Sequence, residues 1–83
     1  MNNRAVVKHF VNGGKKGQSN SMYIAGNKLI GYGWAVYATR AKKGGRYYIT
    51  LNDGWYGYSQ TTSTHLNMIR PYADKITKNK PKL

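Results

Sequence analysis

The side chains best equipped for chemistry are two histidines, His9 and His65, set in a chain with abundant lysine. Two imidazoles and a lysine can cleave RNA without metal, one imidazole accepting a proton while the other donates one. His65 follows Thr62-Ser63-Thr64, where a buried polar hinge can shift the pKa of an imidazole. Nothing in the spacing forces His9 and His65 together, so His65 reads first as a packed residue that hydrogen-bonds a hydroxyl or carbonyl. A metal-independent nuclease using His65 or His9 is the minor alternative. A Ser/Thr–His nucleophile lacks an evident third orienting group. Catalysis by paired carboxylates is nearly excluded, because Asp53 and Asp74 are the only acids and stand far apart in the chain. Two histidines and two aspartates match no metal-ligand spacing, and there is no cysteine for a thiolate site or a disulfide. The expectation is a protein that is not an enzyme and holds no cofactor or metal.

Charge is the strongest signal. Fourteen Lys and Arg face two acids, for a formal net charge of +12. Such a chain repels itself unless an anionic partner neutralises it. Nucleic acid is the first choice of partner, followed by an acidic protein or an anionic surface. The bases concentrate on two glycine turns. Lys15 and Lys16 lie in the loop 12–20, and Arg40, Lys42, Lys43 and Arg46 flank Gly44-Gly45. Glycine lets backbone N–H groups approach phosphate while the side chains supply charge. The first loop lacks the spacing of a nucleotide-binding P-loop. If both turns fall at one end of the fold, they form one positive rim. Tyr48 alternates with Arg46 and Thr50 and is the candidate stacking aromatic beside that rim. Arg70 completes the candidate set.

The elements that would position these residues are short. Eighty-three residues make one domain with a thin core. Alternation of Val6, Lys8 and Phe10 predicts a strand over 4–11. A second strand over 21–25 meets the turn pair Gly26-Asn27, predicting a hairpin. The third, over 28–40, is the longest, with Ile30, Tyr32, Trp34 and Val36 on one face. A strand over 46–51, the turn Asn52-Asp53-Gly54 and a strand over 55–59 follow. A short helix is expected after Ser63, with Leu66 and Ile69 on its inner face, capped by the hydroxyls of 61–64 and ended by Pro71. The result is a mainly β fold: five short antiparallel strands in a small curled sheet or half-open barrel, with one short C-terminal α-helix. The predicted core is Val7, Ile24, Trp34, Val36, Ile49, Leu66 and Ile69. The domain spans 1–73, and 74–83 reads as a disordered basic tail.

The stretch from Ile30 to Tyr37 partly resembles a ribonucleoprotein motif, with Gly31, Tyr32, Gly33, Trp34 and Tyr37 in place and the leading base missing. Tyr32 and Trp34 would then stack bases. The competing reading, preferred because the whole face is apolar, places both rings inside. A wider resemblance rests on Ser19-Asn20-Ser21-Met22-Tyr23, on Gly26 to Gly33, and on Tyr58-Ser59-Gln60-Thr61-Thr62-Ser63-Thr64-His65. These stretches resemble a family of small phage and prokaryotic domains of unknown function with a Tyr-Ser-x-Thr-Thr-Ser-x-His hinge. Gly31 stands where that family's first motif carries Ser. The resemblance implies a phage setting and brings no activity with it.

The functional expectation is a small basic phage-type protein that binds DNA or RNA with little sequence specificity through phosphate contacts. The alternative is a protein-binding modulator, such as an inhibitor docking on an acidic surface of a host enzyme or defence complex. A monomer or weak dimer in the cytoplasm, or host cytoplasm if viral, fits either, and no membrane association is expected.

Overall fold

A computed structural model describes residues 1–83. The N-terminal segment is a helix, α1 (Asn3–Val11), and not the strand that alternation predicts. Val6, Val7 and Phe10 are all buried. Adjacent residues of a half-buried strand point to opposite faces, whereas positions i, i+1 and i+4 share one side of a helix. Asn2 caps it, its Oδ1 accepting a hydrogen bond from the Ala5 N–H at 2.8 Å.

The sheet is mixed and open, in the order β1 (Met22–Ala25), β2 (Lys28–Gly31), β3 (Ala35–Lys43), β4 (Arg46–Asn52), β5 (Lys75–Thr77). The first four strands form an antiparallel meander, and β5 lies parallel to β4. It does not close into a barrel. The outer edge of β1 is covered by the preceding loop, where Ile24 N–H donates to Gly17 O at 2.9 Å and Ser19 N–H to Met22 O at 2.8 Å.

The long strand expected over 28–40 is broken. Tyr32 (φ 52°) and Gly33 (φ 80°) adopt left-handed conformations, and the chain turns so that Gly31 pairs with Ala35. A tyrosine there costs about 1–2 kcal/mol. It is held by its N–H bond to Ser21 O at 2.9 Å and by its ring, 5.7 Å from that of His65. A register shift then follows, with Ile30 opposite Val36 but Leu29 opposite Ala38. This bulge reverses the phase of β3. Ala35 and Tyr37 before it, and Ala38 after it, all join one core cluster with Phe10, Leu29, Leu51, Leu66 and Ile69. Of the predicted core, Trp34 is only partly buried, and the other six are buried.

Residues 55–59 are not a strand either. Asp53–Trp55 form a 3-10 turn, which buries Trp55 edge-on against Trp34 at 5.0 Å. The helix α2 (Gln60–Ile69) begins before Ser63, with Ser59 as its cap, Oγ accepting from Thr62 N–H at 3.0 Å. The hydroxyls expected as caps lie inside the helix.

The segment 74–83, expected to be a disordered tail outside the domain, belongs to the fold. Its β5 pairs Lys75, Ile76 and Thr77 with Thr50, Leu51 and Asn52. Pro81 O accepts from Val36 N–H at 3.0 Å and from Trp55 Nε1 at 3.2 Å, and Leu83 N–H donates to Trp34 O at 2.9 Å. Gly54 makes room for it, since a Cβ there would meet Lys78 O and Asn79 O at 2.3 Å. These partners explain why a polar, lysine-rich segment joins the fold: the Val36 N–H and the Trp55 indole have their acceptor on it, and it donates to Trp34 O. No helix is long and apolar enough to cross a membrane.

Candidate nucleic-acid interface

The β3–β4 hairpin carries a dense group of bases, Arg40, Lys42, Lys43 and Arg46. Its two-residue turn, Gly44-Gly45, has φ of 57° and 78°, the geometry that matches strand twist and that glycine adopts without penalty. Lys43 and Arg46 close it. Because β2 pairs with β3 only as far as Thr39, and β5 with β4 only from Thr50, the stretch between extends past its neighbours as a two-strand ribbon.

The two sides of the ribbon are both basic and aromatic. On one, Lys42 faces Tyr47 across the strands. Lys15 arrives there from the first glycine loop, so that Lys15, Lys42, Gly13 and Tyr47 line a cavity of about 310 Å³. Gly13 lies against the Tyr47 ring, where a Cβ would sit 2.5 Å from the hydroxyl oxygen. Arg40 and Lys42 flank that ring at 5.4 and 5.5 Å. On the other side, Ala41 faces Tyr48 and Thr39 faces Thr50. Thr39, Ala41 and Thr50, with Lys43, Tyr48 and Lys75 beside them, line a larger cavity of about 560 Å³. Lys28 and Lys75 are the register partners of Thr39 and Thr50, so a lysine ends each side of that row.

The acids offset only part of this charge, and only Asp74 does so at the ribbon. Asp53 pairs with Arg70 at 2.7 Å and Lys78 at 3.6 Å, and Asp74 pairs with Arg46 at 2.8 Å. The Arg70 hydrogen bond holds the Asp53 carboxyl below its ordinary range. The Ile49 N–H and then Arg46 do the same for Asp74. Three of the fourteen bases are thus paired and Arg40 is buried, which leaves ten exposed cations without an acidic partner.

The sequence-selected residues separate into groups. Lys15, Lys42, Lys43 and Tyr48 meet at the ribbon. Arg46 is there too, but bonded to Asp74 and lying 4.5 Å from the Tyr48 ring. Lys16 is exposed and lines neither cavity. Arg70 lies elsewhere, against Asp53 and 5.4 Å from the Tyr56 ring. Arg40 is 7% exposed and turned inward, donating to Phe10 O at 2.6 Å, Gly14 O at 2.8 Å and Gly26 O at 3.0 Å. It clamps three segments and has no free charge to offer at the surface. Lys75 was missed because its segment read as tail. The β-favouring pair Ile76-Thr77 beside it was the available signal.

His65 is 2% exposed and lies in a polar cluster. Nδ1 is 2.9 Å from the Tyr37 hydroxyl, and Nε2 is 3.2 Å from Asn3 Nδ2 and 3.4 Å from Ser21 Oγ. Asn3 Oδ1 accepts from the Ser19 and Ser21 hydroxyls. With its amide nitrogen turned toward His65, Asn3 suits the tautomer in which Nε2 accepts and Nδ1 carries the proton. Burial lowers the His65 pKa and raises that of Tyr37. Gly31 makes the arrangement possible, since a Cβ there would meet the Tyr37 ring at 2.0 Å. Both His65 nitrogens are engaged within the protein, and no buried polar side-chain atom lacks a partner. His9 is exposed on α1, nearly two turns beyond Asn3, so the structure does not bring the histidines together.

Comparison with known proteins finds no matching family model, no matching curated sequence and no matching solved structure.

Proposed function

We propose that this protein binds nucleic acid with little sequence preference, contacting phosphates through lysines gathered around the β3–β4 ribbon. The observation that carries the reading is the convergence of exposed cations from three separate segments: Lys15, the pair Lys42 and Lys43, and Lys75. Asp53 is engaged by Arg70 and Asp74 by Arg46, so these four lysines outnumber the one carboxylate at the ribbon, Asp74. Lysine contacts to phosphate fix position and carry no sequence information.

The test is fluorescence anisotropy with labelled DNA and RNA across a salt series, using nuclease-treated, salt-washed protein. The expected result is binding at near-physiological salt with log K falling linearly against log salt. Replacing Lys42, Lys43 and Lys75 together with Ala should flatten that slope by about 2–3, close to one for each lost phosphate contact. If every nucleic acid dissociates by physiological salt, the reading fails. An acidic protein surface, which the same field would steer, is then the partner to seek.

A further inference from the structure

The geometry points to single-stranded nucleic acid as the ligand of this surface, with one base stacked on Tyr48 in the cavity on the Ala41 side of the ribbon. The inference rests on the function proposed above and names the form of ligand that its site selects.

Three features carry it. The first is the exposure of Tyr48. The residue is 38% exposed, with the Lys43 ammonium 5.9 Å from its ring centroid, and its direct cross-strand partner is Ala41, too small to cover it. A large residue at that position would occupy the flank a base needs. The second is the backing of the ring. Asp74 accepts from Ile49 N–H at 2.8 Å and from Arg46 at 2.8 Å, and the Arg46 guanidinium lies 4.5 Å from the Tyr48 centroid. The carboxylate, guanidinium and phenol form a stack anchored to the strand backbone. The ring is therefore held in place before any ligand arrives, which lowers the ordering cost of binding. Tyr47 also has two cations beside its ring, but the Gly13 backbone packs against it and the residue is half-buried, so it is less free to stack.

The third is the shape and chemistry of the floor. Thr39, Ala41 and Thr50 are small, so the cavity of about 560 Å³ is a trough against the sheet, with Lys43 and Lys75 beside it and Asp74 in its lining, held by Arg46. A flat base fits against such a floor while its phosphates reach the lysines. In a duplex the bases already stack on one another, and a tyrosine set back in a trough would meet sugar and phosphate only. Base–aromatic stacking tolerates any sequence because every base has a π-face, in keeping with lysine contacts that read no sequence.

The experiment compares a labelled single strand with the duplex of the same sequence, for the full chain and for Tyr48→Ala, Tyr48→Phe and Ala41→Leu. Thermal melts check that each variant folds. The single strand should bind at least several-fold tighter than the duplex. Tyr48→Ala should lose about tenfold on the single strand and stay within about twofold on the duplex, because stacking is absent there. Tyr48→Phe should keep most of the affinity, and Ala41→Leu should weaken the single strand by covering the ring. A duplex that binds as tightly as the single strand, or an equal loss on both with Tyr48→Ala, would overturn the inference while leaving phosphate binding standing. No binding to either form would overturn both.

Discussion

Replacing Arg40 with Met separates a buried clamp from a phosphate contact, two roles that look alike in the sequence. Met keeps most of the stem and removes the guanidinium. Three hydrogen bonds go with it, to Phe10 O, Gly14 O and Gly26 O. The Phe10 bond is buried, so its carbonyl is left without a partner at a cost of about 2 kcal/mol. The other two are part-buried, and water can replace the guanidinium at about 0.5 kcal/mol each. The total is near 3 kcal/mol, and for a domain of this size it corresponds to a fall in Tm of roughly 12–25 °C. Thermal and urea denaturation followed by circular dichroism measure it directly. Binding is measured well below the new Tm, where the variant is folded. There the salt slope should match that of the parent chain, since Arg40 presents no charge to a phosphate. The reasoning is refuted if Arg40→Met melts within about 3 °C of the parent and its salt slope drops by about one.

Removing residues 79–83 should cost about 2–4 kcal/mol, because Val36 N–H and Trp55 Nε1 lose their acceptor on Pro81; a disordered tail would leave the urea midpoint unchanged. Stability should fall as pH drops below the ordinary histidine value of 6.5, because unfolded His65 takes up a proton that burial denies the folded form. Its neighbours Asn3, Ser21, Tyr32 and Tyr37 bring no charge to offset this. Melts across that range should show the loss, and His65→Gln should abolish this component; the aspartate contribution is separate and is lost only as pH falls through values below 3.8. Replacing Arg70 with Ala should cost only about 0.5–1 kcal/mol, the pair being partly open to solvent. It should raise the Asp53 pKa in an NMR titration and leave nucleic-acid affinity within about twofold, because Arg70 lies away from the ribbon.

The central meander was legible and its flanks were not. Gly26-Asn27 and Gly44-Gly45 mark turns by local chemistry, so β1 and β4 lie close to where pattern places them and β2 begins where the long third strand was expected to begin. The N-terminal helix was misread because Val6 and Phe10 fit a period of two as well as one near four. Only Val7, buried beside Val6, decides between them, and its burial comes from packing against the sheet. The turn at Tyr32-Gly33 was hidden because a tyrosine in a left-handed conformation is uncommon, and no local rule favours it. The C-terminal strand was hidden for the opposite reason. Its lysines describe a solvated tail, while what orders it lies elsewhere: unpaired backbone of β4, the indole of Trp55 and the cleft over Gly54.

The three arginines selected from the sequence show how far charge alone carries a functional argument. Arg40, Arg46 and Arg70 each counted toward the same positive excess. Arg40 meets three carbonyls from segments 14 to 30 positions away and becomes part of the core. Arg70 meets Asp53, 17 positions back. Arg46 meets Asp74, 28 positions on, and is placed under Tyr48. Arginine makes such structural contacts readily, because its planar fork suits carbonyl and carboxylate acceptors and is weakly hydrated. Lysine, more strongly hydrated, stays at the surface: all ten lysines are exposed, and only Lys78 has an acidic partner. In this chain these three arginines therefore organise the scaffold, while the lysines and the exposed Arg4 carry the field toward a partner. Lysine-to-alanine changes should act on the salt slope, and changes at these three arginines on stability or on the position of Tyr48.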